Sequence, residues 1–302
     1  MVKFKLPDKI RLNPIVKKDL RVISRSMKIA WGIFAYEVVL AIIFFFAIYI
    51  IFDAFSTYGY TQNYQEFMAM FPILAAVQFG IIALVMPVIT ATAISGEKEK
   101  QTFDLLLTTV MTPKAIVRGK VWSAVIRMMV FIVGSIPLMA ISFTLGGLSW
   151  LNLLITMVGF LIFAILTGSI GIFASTITKK SISAIILTYV FYFVVGTMSV
   201  LPTLIVVLAS FTSAGSIVSV LMLINPVAAI VEMFVLMLGG DDIFSGNPIG
   251  FWSGWGWVCL SGVAMLLMSW GLQRLAAWRI DPLHGYIIRS KKPKKAKGVA
   301  LG

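Results

Sequence analysis

The sequence is poor in the residues that carry out covalent or metal chemistry. It contains one cysteine, Cys259, and one histidine, His284. A single cysteine excludes a disulfide within the chain, and one residue of each type is too few for a zinc site. The long apolar runs contain no lysine and no paired catalytic carboxylates, which argues against an intramembrane enzyme. We therefore expect no catalytic site and no metal site in this chain.

Charged residues are also scarce, and their placement is informative. They make up 12% of the chain, against about 25% in a soluble domain. Lysine and arginine are absent from 29–97, 128–178 and 181–273, and all 25 fall outside these stretches. Basic residues confined to alternate loops mark the loops that face the cytoplasm. The net charge of +13 therefore predicts a membrane topology, and we expect no nucleic-acid partner.

Apolar sequence fills the stretches without basic residues. Hydrophobic residues make up 60% of the chain, in runs of roughly 20 or more, which is enough to cross a bilayer as a helix. The sequence thus predicts an all-α polytopic membrane protein with both termini in the cytoplasm. The six predicted transmembrane helices are 30–52, 71–95, 121–146, 150–177, 182–208 and 249–273. The predicted divisions are a cytoplasmic segment 1–28, a transmembrane domain 29–273 and a basic cytoplasmic tail 274–302.

The segment before the first span, "NPIVKKDLRVISRSMK", predicts an amphipathic helix. Asn13 is a good N-cap and Pro14 suits the first helical position. Apolar and basic side chains separate onto opposite faces, so we expect this helix to lie in the membrane interface. The alternative is an ordinary solubilising leader.

The apolar segment 216–238 is long enough to be a seventh span. If it crossed, eight Lys and Arg residues of the tail would lie outside, against the charge rule. It also carries Asn225-Pro226 in its middle, followed by Glu232. We predict a re-entrant hairpin that enters from the outer face, which requires its irregular backbone to be buried by protein.

Two charges fall inside predicted spans at similar depth. Glu37 lies about two turns into the first span and Arg127 about two turns into the third. A charge in the membrane costs at least ~2.5 kcal/mol unless it has a partner. These residues either form an ion pair or, for Arg127, extend to the cytoplasmic interface.

The stretch "ISGEKEKQTFDLLLTT", from Ile94 to Thr109, is polar between two apolar runs. Glu97 and Glu99 either begin a new segment or extend the second span. Helical spacing would place Phe103 and Leu106 on an apolar face, with Leu105 near the polar side. Thr112-Pro113 predicts the start of a second short helix, which Gly119 would end. We expect a structured elbow over 96–120 that is a docking surface or an interfacial cap. The polar stripe consists of Glu97, Gln101, Asp104 and Thr108.

"ISGEKEKQTFDLLLTTVMTPKAIVRGK" resembles the loop between the second and third spans of type-2 ABC-transporter permeases. Those exporters have a Glu-x-Glu, then Thr, a Leu-rich turn, Thr/Pro and a closing Gly-Lys. The amphipathic first helix, six spans and an outer re-entrant piece also match. Gln101 departs from the pattern, because many members have Gly there. The resemblance implies ATPase-coupling residues at Glu97, Glu99, Gln101, Thr102, Asp104, Leu105, Leu106, Thr108, Thr109 and Pro113.

The resemblance further implies a permease subunit of an exporter in a bacterial plasma membrane. Its partners would be a second permease chain, in a homodimer or heterodimer, membrane lipids and a cytoplasmic ABC ATPase. ATP and Mg would bind that ATPase, since this chain has no G-x-x-x-x-G-K-[ST] phosphate loop and we expect no cofactor on it. The alternative is a self-contained secondary transporter or channel. Such proteins place ionisable groups near the membrane midplane, where this sequence has almost none.

Overall fold

The computed structural model describes residues 27–58, 67, 70–103, 112–145, 149–208, 219–241, 243 and 254–281. In these residues the fold is helical, without a strand. The helices are α1 (Met27–Tyr58), α2 (Met70–Glu99), α3 (Pro113–Leu145), α4 (Trp150–Ile177), α5 (Ser181–Leu208), α6 (Pro226–Met237) and α7 (Trp255–Ile280). The predicted interfacial helix lies almost wholly outside the described residues. The predicted basic tail begins at 274, but its first residues belong to α7, and the part after Asp281 lies outside the described residues.

The multi-pass membrane architecture predicted from the sequence is supported by helix length and composition. Five helices are long and apolar enough to cross a membrane, namely α1, α2, α3, α4 and α7. The predicted fifth span corresponds to α5, which has 28 residues. Its apolar part over Ser181–Thr197 is shorter than a span in the described residues, so the sixth crossing stays a prediction.

Helix α4 occupies the centre of the fold. It packs against α2, α3, α5 and α7, and it is the most buried of the five spanning helices, whereas α1 is the least buried. Phe160 and Phe163 of α4 are buried in the main core, and Phe163 stacks on Phe79 of α2 with ring centroids 4.1 Å apart. Side chains therefore fill the interior of a single chain.

Two glycines of α4, Gly168 and Gly171, allow α2 to approach this helix closely. A Cβ at Gly168 would lie 2.8 Å from Met86 Cε. A Cβ at Gly171 would overlap the Thr90 hydroxyl and lie 3.3 Å from the backbone nitrogen of Ala91. Because backbone as well as side-chain atoms block this position, α4 and α2 can accommodate a methyl group there only by moving apart.

We expect Gly171→Ala to destabilise the protein by about 1–3 kcal/mol, the usual cost of overpacking a core. Gly196→Ala on α5 is the matched control, since a Cβ there meets nothing within 4 Å. The measurement is the melting temperature of each purified variant in detergent. Equal melting temperatures for the two variants would contradict the close α2–α4 contact.

Helix α3 is longer than the sequence predicted. A short elbow helix ending at Gly119, followed by a span from 121, was wrong, because α3 runs without a break from Pro113 to Leu145. Ile116, Val117 and Val121 are fully buried on the two sides of Gly119. Their packing holds this stretch helical and outweighs the roughly 1 kcal/mol that glycine costs a helix.

The predicted hairpin 216–238 contains a broken helix. Residues 219–222 are helical, a turn follows, and Asn225 caps α6 by accepting hydrogen bonds from the backbone of Val227 and Ala228. The Trp257 indole donates to the Ser219 carbonyl over 3.0 Å, and the Ser261 hydroxyl donates to the Leu223 carbonyl over 2.7 Å.

Side chains of α7 thus satisfy two carbonyls before the break, which a re-entrant segment would require. Pro226 occupies the first turn of α6. Glu232 is fully buried and accepts a hydrogen bond from the Ile243 backbone over 3.3 Å. Re-entry of this segment from the outer face stays a prediction.

Candidate functional site

The second span continues into the polar stretch, so Glu97 and Glu99 extend α2 and do not begin a new segment. The helix then ends in a Schellman motif. Thr102 N donates to Glu97 O over 2.9 Å, and Gln101 N donates to Lys98 O over 3.1 Å. Gln101 itself has a φ of 59°, in the left-handed region that this motif requires and that glycine adopts most easily.

Glu97 connects α2 to α3. Its Oε1 accepts a hydrogen bond and salt bridge from Lys120 Nζ over 2.6 Å. The two side chains are only 26% and 17% exposed, so water screens this pair less than a surface pair. The salt bridge fixes the end of the second span against the beginning of the third.

Lys98 connects α2 to the C-terminal end of α4. Its Nζ donates to the carbonyls of Thr176 over 2.6 Å, Thr178 over 3.2 Å and Ser175 over 3.3 Å. These carbonyls have no intrahelical donor at a helix C-terminus, where a cation is also favoured by the helix dipole. Lys98 also lies 5.6 Å from the centroid of the Phe103 ring.

Glu99 connects α2 to the first residue of α5. Its Oε2 accepts from the Ser181 hydroxyl over 2.7 Å and from the Ser181 backbone nitrogen over 3.1 Å. A carboxylate from a neighbouring helix therefore caps the N-terminus of α5, where a negative charge is favoured.

We call the contacts of Glu97, Lys98 and Glu99 the α2 junction. Three consecutive side chains hold three different helices, α3, α4 and α5. Ser175 adds a fourth contact, because its Oγ accepts from the backbone nitrogens of Ile94 and Ser95 over 3.0 and 2.7 Å. Any displacement of the end of α2 must therefore move the adjoining ends of its neighbours or break these bonds.

Sequence reasoning missed Lys98 and Ser175. Lys98 looked like one more basic residue of a cytoplasmic loop, and Ser175 like one more small residue in a span. The only available signal was the short "TKK" turn between the end of one span at Ile177 and the start of the next. A helix that ends at this turn leaves its last carbonyls close together without intrahelical donors. Nothing in one sequence says which lysine reaches them.

The predicted ATPase-coupling residues divide into two groups. Asp104, Leu105, Leu106, Thr108 and Thr109 lie outside the described residues. Glu97 and Glu99 are engaged within the chain, whereas Gln101 and Thr102 are exposed. Pro113 begins α3, and the hydroxyl of Thr112 accepts from Ala115 N over 3.3 Å, as predicted for this cap. The described ends of the elbow are therefore anchored, and its role as an ATPase contact stays a prediction.

We expect Gln101→Gly to stabilise the protein slightly, by about 0.5–1 kcal/mol. Glycine removes a left-handed penalty of roughly 1–2 kcal/mol, and its greater freedom in the unfolded chain offsets part of the gain. The measurement is the melting temperature in detergent, with Gln101→Ala as a control that keeps the penalty. A lower melting temperature for Gln101→Gly than for Gln101→Ala would contradict this geometry.

Glu37 and Arg127 lie on α1 and α3, which pack together, but the predicted ion pair between them is not formed. Arg127 donates to Ser123 Oγ over 3.3 Å on its own helix. The Glu37 carboxylate lies against Gly134, where an added Cβ would be 2.6 Å from Oε1. Gly134 is about two turns further along α3 than Arg127, so the two charges lie at different depths.

Comparison with known proteins gives the family of this helical arrangement. A family model described as ABC-2 family transporter protein matches residues 13–274, which include α1 to α6 and most of α7. No curated protein matches the chain. Because the matched region covers far more than half of the 302 residues, this chain belongs to the ABC-2 family of transporter proteins, the membrane-spanning permeases of ABC transporters.

Proposed function

We propose that this permease is the transmembrane subunit of an ATP-driven exporter and that a separate cytoplasmic ATPase drives it through the elbow 96–120. ATP and Mg²⁺ bind the ATPase. The observation that carries this proposal is the α2 junction. A simple connector between two spans needs only a few polar residues, whereas this one begins with three side chains that each hold another helix.

The junction explains how a force on the elbow reaches the membrane. The elbow is attached to the C-terminus of α2 and the N-terminus of α3, and Glu97–Lys120 holds these two ends together. Lys98 and Glu99 then pass the displacement to α4 and α5. Close packing at Gly168 and Gly171 leaves little free space in which the movement of α2 could be absorbed before it reaches α4.

Two permease chains, identical or different, enclose the translocation path in this proposal. The centre of one chain is filled by α4, so the described helices surround a core and not a channel. A path formed between two copies is consistent with that filled centre. The same observation weighs against a channel formed by one chain.

Co-expression with a candidate ABC ATPase tests this proposal. We expect affinity purification of the tagged permease to recover the ATPase in equal amount, and ATP hydrolysis by the complex to depend on an intact elbow. Recovery of a permease that transports on its own under an ion gradient, without the ATPase, would favour the secondary-transporter alternative.

A further inference from the structure

A basic cleft lies between the first turns of α3 and the last turns of α7. It encloses about 790 Å³ and is lined by Lys114, Arg274 and Trp278, with Asp281 at the C-cap of α7. A small adjoining pocket shares Lys114 and Arg274 and adds Arg118. Three cations and one carboxylate line the cleft and the adjoining pocket together, so the net charge of this lining is +2. The volume is in the range of small-ligand sites.

The three cations are available to a ligand. Lys114, Arg118 and Arg274 are exposed, and within the described part of the chain none of them forms an ion pair. Lys114 and Arg118 are one helical turn apart on α3, so they project from the same face. Arg274 is held over the ring of Trp270, with 4.1 Å between its guanidinium carbon and the ring centroid.

The α7 wall of the cleft is rigid. Gln273 donates from Nε2 to Ser169 Oγ on α4 over 2.9 Å and to Ser269 Oγ over 3.2 Å. The two serine hydroxyls also lie 2.7 Å apart. These bonds fix the rotation of α7 against the central helix α4. The buried contacts of α7 therefore also hold Trp270 and Arg274 in position.

The tryptophans place this cleft at the edge of the membrane. Trp255 and Trp278 flank α7 and are about 35 Å apart at 1.5 Å per residue, slightly more than the hydrocarbon thickness of about 30 Å. Both are exposed, at 39% and 55%. Exposed tryptophans in such positions mark the headgroup regions of a bilayer, and Trp278 lines the cleft itself.

We propose that this cleft binds the phosphate headgroup of an anionic phospholipid from the cytoplasmic leaflet. Arg274 and Lys114 contact the phosphate from two sides, and Trp278 lies at the level of the headgroup. Trp270, one turn further into the membrane than Arg274, lies alongside the upper part of the acyl chains. Three observations favour a lipid over a soluble anion or an acidic protein segment: the exposed tryptophans at headgroup depth, the cation stacked on Trp270, and an exposed Leu275 in the same wall. Basic pockets between spans on the cytoplasmic side are typical sites for such headgroups.

The test is native mass spectrometry of the delipidated permease titrated with phosphatidylglycerol or with phosphatidylcholine. We expect one phosphatidylglycerol to bind preferentially and Lys114→Gln/Arg274→Gln to bind it roughly thirtyfold more weakly, because each basic residue near an anionic headgroup contributes about fivefold. The charge-conserving Lys114→Arg/Arg274→Lys variant should retain binding. Arg279→Gln, an exposed arginine of α7 that lines neither pocket, is the matched control and should also retain it.

Unchanged binding in the double glutamine variant would overturn the proposal, as would an equal loss in Arg279→Gln, which would indicate surface charge alone. Glycerol 1-phosphate is the soluble arm of the experiment. If it competes at concentrations similar to the lipid, the site is one for free phosphate and not for a membrane lipid. If Lys114→Gln/Arg274→Gln lost ATPase association but still bound phosphatidylglycerol, the cleft would be assigned to the protein partner instead.

Discussion

Asp104→Ala together with Leu105→Ala is expected to weaken ATPase association at least thirtyfold without changing the stability of the permease. The helix predicted for this stretch would place Leu105 beside the polar stripe, where it could insert into a cleft of the partner, with Asp104 next to it. Truncation of a buried interface anchor commonly costs about 2 kcal/mol or more, which is roughly thirtyfold in affinity. Neither residue is needed for the described contacts of the α2 junction.

The measurement is co-purification of the ATPase, together with the melting temperature of the isolated permease. Asp241→Ala/Leu267→Ala changes the same residue types at exposed positions on α7 and in the segment after α6, and should leave association intact. Unchanged association in the elbow variant would show that the elbow only caps the bundle. A collapse of stability would show that these side chains face inward, in a helical phase different from the predicted one.

Lys98→Met is expected to have the opposite profile, with impaired stability and retained ATPase association. The substitution leaves carbonyls of Ser175, Thr176 and Thr178 without their donor. A charged hydrogen-bond donor at a helix C-terminus contributes about 2–3 kcal/mol, so we expect the melting temperature to fall by at least about 4 °C. Transport should also fall, because one of the contacts through which α4 follows α2 is lost.

Lys100→Met is the matched control, since Lys100 is exposed and its described hydrogen bond is the backbone contact to Gly96 O. Both variants remove one positive charge from the same end of α2. If they lower the melting temperature equally, charge near the helix terminus explains the effect and the specific contact with α4 does not contribute.

Most of the membrane helices could be predicted from the sequence because apolar runs of about twenty residues have few alternatives in a bilayer. The starts of α3 and α7 could not be placed as well. The sequence predicted that a helix ends at Gly119, but the packing of Ile116 and Val121 outweighs the low helix propensity of glycine. The sequence placed the last span at 249–273, whereas α7 begins at Trp255 and continues to Ile280.

The candidate site was predictable in position and only partly in geometry. Charged residues after a span marked 96–120 as unusual, and Gln101 stood out against the glycine of similar loops. The left-handed φ of Gln101 explains that glycine preference in physical terms. The contacts of Lys98 and Glu99 join residues that are about 80 positions apart, and no local pattern encodes such contacts.

Hydrogen–deuterium exchange of the permease–ATPase complex, with and without a non-hydrolysable ATP analogue, measures coupling through the α2 junction and needs no knowledge of the substrate. We expect nucleotide to change exchange together in 94–103, 113–121 and 174–184, the segments joined by the α2 junction. Lys98→Met should reduce the change in 174–178 and leave that in 181–184, where Glu99 still contacts Ser181. Exchange that changes only in 104–111 of the wild-type complex, or a response in 174–178 that Lys98→Met leaves intact, would contradict this coupling.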